Sequence, residues 1–272
     1  MISISVENIN IEEILFSGAC FRSIKEKDGS ITNILRDRVV NLKQKGNIIE
    51  IKSSNDDNIE NIIKEYFDLN RDYNKINEEL IKKDNKLTGI INKCREYRIL
   101  NQDSFEMGIS YILSSANKVE RISKLVNSIA YKYGDKVIFD NKEYYLFPRY
   151  EQLKDITIND LKEFKMGFRD EYIINYLKEY PLLNNLYSLN EDEAIKRLTS
   201  IKGIGLKVAS CILLFGYKKL DVFPIDTWVK KYMKDNFIKT DKTNEIKKYS
   251  KEHFSPYSGL VIQYMFHSER NL

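Results

Sequence analysis

The stretch from Ser200 to Lys234, SIKGIGLKVASCILLFGYKKLDVFPIDTWVKKYMK, constrains this chain more than any other. It holds a glycine-bracketed turn, Gly203-Ile204-Gly205, with helical patterns on both sides. Glycines let a backbone turn tightly and approach a ligand closely. The helix that follows offers free N–H groups and a partial positive end, which suit a phosphate oxygen. Lys207 then enters a run that is otherwise largely apolar, through Leu206, Val208, Ala209 and residues 211–215. Partial burial there disfavours the ammonium and exposes a nucleophilic amine. Nineteen residues later Asp226 lies just past Pro224, in a context that reads as a helix N-cap. A capping carboxylate beside a sugar also stabilises positive charge developing at an anomeric carbon. Taken singly, these are an ordinary helical hairpin, a lysine snorkelling to solvent and a plain cap. Together in one short segment they suit chemistry on a nucleic-acid backbone.

The rest of the chain sets the boundaries of that reading. Its 272 residues suffice for one large domain or two smaller ones with a substantial core. No apolar run approaches the roughly 18 residues a membrane span needs, so no membrane is expected. The N-terminus, MISISVENINIEEILF, lacks the basic start and apolar stretch of a secretion signal. Three cysteines, Cys20, Cys94 and Cys211, are too far apart for a metal-ligand or disulfide pattern. A reducing cytoplasm is expected, with nucleoid association if the source is prokaryotic. Net charge is only +4, but residues 201–272 carry 13 Lys/Arg against 7 Asp/Glu. A basic C-terminal third attracts phosphates; a solvated Lys-rich surface reads the same way.

Along the chain, residues 13–22, 31–43 and 47–53 read as strands, punctuated by Asp28-Gly29 and Lys45-Gly46-Asn47. Residues 57–68 and 73–83 follow as amphipathic helices. Beyond about residue 100 helical patterns dominate, and the division expected is residues 1–100 and 101–272. Helices are expected over 104–115, 118–133, 170–178, 191–198, 206–215, 226–235 and 259–269. Ser104, Asp170 and Asp226 serve as candidate caps, and Gly134 and Gly216 as stops.

Residues 200–234 resemble the central signature of the helix-hairpin-helix DNA glycosylase superfamily, and the flanking residues resemble its 8-oxoguanine DNA glycosylases. Four stretches carry the closer match: Ser17-Gly18-Ala19-Cys20-Phe21-Arg22; Gln102-Asp103 with Ser114-Ser115-Ala116-Asn117-Lys118-Val119-Glu120-Arg121; Met166-Gly167-Phe168-Arg169; and Pro256-Tyr257-Ser258-Gly259 through Phe266. The resemblance implies an α+β fold, with an N-terminal antiparallel sheet packed on a mostly helical body. It also implies a bifunctional glycosylase/lyase acting, as a monomer, on duplex DNA that carries an oxidised guanine, with no metal and no cofactor. Lys207 matches the nucleophile that forms a Schiff base, and Asp226 the carboxylate that stabilises the transition state. Gly18 matches the residue whose carbonyl accepts from N7–H of the oxidised base, and Cys211 and Phe266 match those that sandwich it. Gly203 and Gly205 match the hairpin through which the family binds phosphate. Arg121 and Arg169 match contacts to the orphaned cytosine, with Asn117 beside them, and Phe168 matches a wedge.

Three positions depart from the family pattern. Ile262 falls where the family has a base-reading Gln, with Gln263 one step along. Ala116 replaces an Asn, and Trp228 replaces a His near a phosphate. Two other readings stay open on sequence: a superfamily relative acting on another damaged purine, and a non-catalytic hairpin module. Retention of both Lys207 and Asp226 weighs against each.

Overall fold

The computed structural model describes residues 2–270. Five short strands form one antiparallel sheet: β1 (Ile2–Ser5), β2 (Ser23–Lys25), β3 (Ile31–Ile34), β4 (Val39–Lys45) and β5 (Ile48–Ser53), in the order β1-β5-β4-β3-β2. Leu42 pairs with Ile51 across β4 and β5, and the tight turn between them uses Gly46 at positive φ. Alternate residues Val40, Leu42, Ile49 and Ile51 are buried, so the period-2 pattern points one face at the core. Helices Ile59–Tyr66 and Tyr73–Lys83 follow in the same half of the chain.

The other half is built around helix Ser104–Leu113, whose residues 105–113 are all buried. Leu206–Gly216 and Arg169–Glu179 pack against it. One core runs from Ile4 through Met265 without a break between sheet and helices. Polar bonds also cross the junction. Gln102 Nε2 donates to the Ala19 carbonyl at 2.9 Å, Ser123 Oγ to that of Phe21 at 2.6 Å, and the Tyr264 hydroxyl to Asn77 Oδ1 at 2.8 Å. Arg22, buried, donates to Asn127 Oδ1 and to the Tyr145 carbonyl. The bonds at Ala19, Phe21 and Arg22 fix residues 19–22 against the helical body. The α+β architecture expected from sequence is the one observed.

Several local expectations fail for identifiable reasons. Residues 13–22 are not a strand. A short helix, Ile11–Leu15, is capped by Asn10, whose side chain accepts from Glu13 N, and Ile11, Ile14 and Leu15 follow helical spacing. Residues 31–43 are two strands rather than one. Ser104 and Asp170 cap nothing: Asp103 accepts from the N–H groups of Phe105 and Glu106, and Asp170 lies inside its helix. Gly216 ends its helix from within. A two-strand hairpin, β6 (Lys136–Phe139) and β7 (Lys142–Tyr145), turns on Asp140-Asn141, both at positive φ. Helix Thr243–His253 forms where the sequence pattern predicts none.

Candidate active site and nucleic-acid interface

Lys207 is the second residue of helix Leu206–Gly216, and Asp226 is the N-cap of helix Thr227–Asn236. The hairpin launches the first helix and Pro224 precedes the cap of the second. The two elements bring Lys207 Nζ within 3.3 Å of Asp226 Oδ2. The other carboxylate oxygen, Oδ1, accepts from Val229 N at 2.9 Å. Asp226 thus divides its two oxygens between holding its helix and facing the amine. The burial expected for Lys207 is absent: its side chain is 50% exposed and that of Asp226 26%. Its apolar sequence neighbours, 208, 209 and 211–215, turn inward while the first-turn lysine points out. Desolvation of the amine is therefore not supplied by the protein alone.

One turn on, Cys211 shares the helix face of Lys207. It is 7% exposed, and burial pushes its thiol up to about 12, with Asp226 adding to the rise and Lys207 opposing it. A thiol held neutral this way is a soft apolar wall rather than a competing nucleophile.

The Gly18 loop is tied to the terminal helix through Tyr97. Gly18 sits at φ +94, in the left-handed region where an L side chain would be strained. The Tyr97 hydroxyl lies 3.4 Å from both Ser17 Oγ and Gln263 Oε1, which ties this loop to the terminal helix Ser258–Arg270. On that helix the ambiguity resolves physically. Ile262 has 0% exposure and cannot meet a base, so its expected base contact is withdrawn. Gln263 and Phe266, three residues apart and both partly exposed, share the open face.

Several of the residues expected at DNA are packed neighbours, from Gly203 through Tyr172 and Phe168 to Arg169. Gly203 lies at φ +104, and a Cβ there would fall 2.2 Å from Tyr172 Cγ. The Tyr172 ring is 5.3 Å from that of Phe168, which is 51% exposed, as a wedge requires. Beside it the Arg169 guanidinium stacks 4.4 Å over Phe168. Arg169 is itself buried and already engaged: Nε donates to the Ser115 carbonyl at 2.9 Å, Nη1 to that of Met166 at 2.9 Å and Nη2 to those of Ser115 and Ala116. It braces the turn at 114–117 instead of presenting a guanidinium to an orphaned base. Ala116 in that turn is exposed at φ +51, and Asn117 bonds back to the Leu113 carbonyl at 3.1 Å. Arg121 is exposed and donates to the Lys165 carbonyl at 3.1 Å, so it remains at the surface. Trp228 is not placed as an isolated phosphate contact. Its ring lies on Phe266, centroids 4.2 Å apart and 19° from parallel.

The two hairpin glycines make separable demands. Gly203→Ala meets a ring and a strained φ, so a loss of at least about 2 kcal/mol is expected, seen as a fall in Tm of several degrees. At Gly205 a Cβ meets nothing within 4 Å, so Gly205→Ala should unfold like the parent. Its methyl would instead project from the turn proposed for phosphate, and DNA affinity should fall. Equal Tm values for Gly203→Ala and the parent would contradict this packing.

Residues 1–107 match the family described as 8-oxoguanine DNA glycosylase, N-terminal domain. The whole chain is similar to a Clostridium acetobutylicum 8-oxoguanine glycosylase/lyase solved with double-stranded DNA containing cytosine opposite 8-oxoG. That likeness has 35% identity and a TM-score of 0.90, covering 98% of this chain and 93% of the other. A probable N-glycosylase/DNA lyase of Methanothermobacter thermautotrophicus is 26% identical over 213 residues, 69% of this chain and 68% of that protein. The N-glycosylase/DNA lyase OGG1 of Arabidopsis thaliana is 31% identical over 159 residues, 54% of this chain and 43% of the plant protein.

Proposed function

This chain belongs to the 8-oxoguanine DNA glycosylase family, and we propose that its Lys207–Asp226 pair excises 8-oxoguanine from duplex DNA and then cleaves the strand. The observation that carries this reading is an exposed amine 3.3 Å from a helix-capping carboxylate, at the exit of a Gly-Ile-Gly hairpin. The protein would seat duplex DNA on the 203–205 hairpin, with Phe168 entering the stack and Arg121 beside it. The damaged nucleotide turns out toward Gly18, Cys211, Gln263 and Phe266. Seating DNA over the half-open pair supplies the desolvation that Lys207 lacks in the free protein.

The Lys207 Nζ, as the free amine, forms a bond to C1′ as the N-glycosidic bond breaks; the bonding pair leaves with the base, which takes up the proton that the new secondary ammonium gives up. Asp226 Oδ2 faces the positive charge that develops at the sugar. The sugar ring then opens as the C1′–O4′ pair leaves with O4′, which takes the remaining amine proton, giving a Schiff base. Loss of a C2′ proton then expels the 3′ phosphate by β-elimination. The Gly18 carbonyl accepts from N7–H, a proton that guanine lacks, so the normal base leaves that acceptor unpaired. We place this activity in a monomer of the cytoplasm, nucleoid-associated in a prokaryotic source.

Single-turnover incision of duplexes carrying 8-oxoguanine or guanine tests the assignment. Excision of the lesion at least ~10³-fold faster is expected from a hydrogen-bond criterion of this kind. Equal rates on the two duplexes would refute the role of Gly18 and the substrate with it.

A further inference from the structure

Trp228 does not stand alone on the surface. It is the middle of three near-parallel rings. Tyr232, one turn along the same helix, lies 4.9 Å from it at 25°, and Phe266 of the terminal helix lies 4.2 Å from it at 19°. The column is rooted inward, since Tyr232 also lies 6.3 Å from the ring of Phe237, a core residue. Its outer end is Phe266, only partly buried on the open face of its helix. A phenyl ring in that position keeps rotational freedom unless a neighbour covers one face. The neighbour here is the indole, two residues past the Asp226 cap and therefore on the element that also sets the carboxylate.

Resting on the functional reading above, we propose that Trp228 is a positioning residue for the extruded base, acting through Phe266. The indole fixes the plane of the Phe266 ring and leaves its other face for the base. One helix then aligns both the stacking surface and the charge that faces C1′. This accounts for a bulky aromatic where the family pattern has a phosphate-binding imidazole.

The two halves of the reaction separate this role from a general structural one. Base excision needs the base held against Phe266. Cleavage at a preformed abasic site needs Lys207 and Asp226 but no base. Trp228→Leu should lower single-turnover excision of 8-oxoguanine ~10-fold or more while changing cleavage of an abasic duplex less than about twofold. Trp228→Phe, which keeps an aromatic face, should recover most of the excision rate. Equal losses on both substrates, or excision by Trp228→Leu at the parental rate, would overturn the proposal. A parent protein that fails to excise 8-oxoguanine would instead sink the functional reading. Should the leucine variant not fold, the native indole still reports, because Trp228 is the chain's only tryptophan. In a Lys207→Gln background, a duplex with 8-oxoguanine should shift the tryptophan emission relative to an abasic duplex. Identical spectra would count against the stack.

Discussion

Lys207→Gln removes base excision and strand cleavage together, by at least about four orders of magnitude, while leaving the fold intact. The size follows from loss of a covalent nucleophile, for which no neighbouring group substitutes. Cys211 cannot take over, since burial holds its thiol neutral with a pKa of about 12. The fold should not register the change. Glutamine and lysine have similar helix propensities. The pair with Asp226 is half exposed, so it contributes at most about 1 kcal/mol. A lysine at the second position of a helix also sits at the positive end of the helix dipole, an unfavourable place by a few tenths of a kcal/mol. Thermal unfolding of the variant should match the parent or exceed it slightly. Substantial excision by a folded Lys207→Gln protein would remove Lys207 from the mechanism.

Asp226→Asn should cost ~10²–10³-fold in excision with DNA binding preserved. The amide keeps an oxygen for Val229 N, and Asn caps helices about as well as Asp, so the helix start survives. What disappears is the negative charge 3.3 Å from Lys207, facing the sugar. The prediction therefore separates the two jobs of this residue: the cap is retained and the catalytic charge lost. Unchanged turnover would mean that the carboxylate is a cap and nothing more. A large fall in Tm would mean that the capping geometry has been misread.

The hairpin, the Asp226 cap and the paired positions 207 and 226 were legible because each rests on local chemistry. A Gly-Ile-Gly turn, a carboxylate before a helix and a cation on the wrong end of a helix all leave marks in a few consecutive residues. The exposure of that cation is not a local property. Apolar neighbours in sequence suggested burial, but a first-turn side chain can point away from the face its neighbours fill. Arg169 shows the same limit. Its residue type announces a cation, while its fate depends on carbonyls more than fifty residues away in the turn at 114–117. Trp228 was recognisable as a departure, yet its partner Phe266 comes from a distant helix. The hairpin at 136–145 has a turn signal in Asp140-Asn141, both at positive φ. Helix Thr243–His253 had little, since only Ile246 and Ser250 of it are buried.

The most direct test of the account is borohydride reduction of the protein incubated with a duplex carrying 8-oxoguanine, followed by mass spectrometry of the cross-linked peptide. The account predicts one stable adduct, on Lys207. No adduct, or an adduct on another amine such as Lys202 or Lys230, would contradict it.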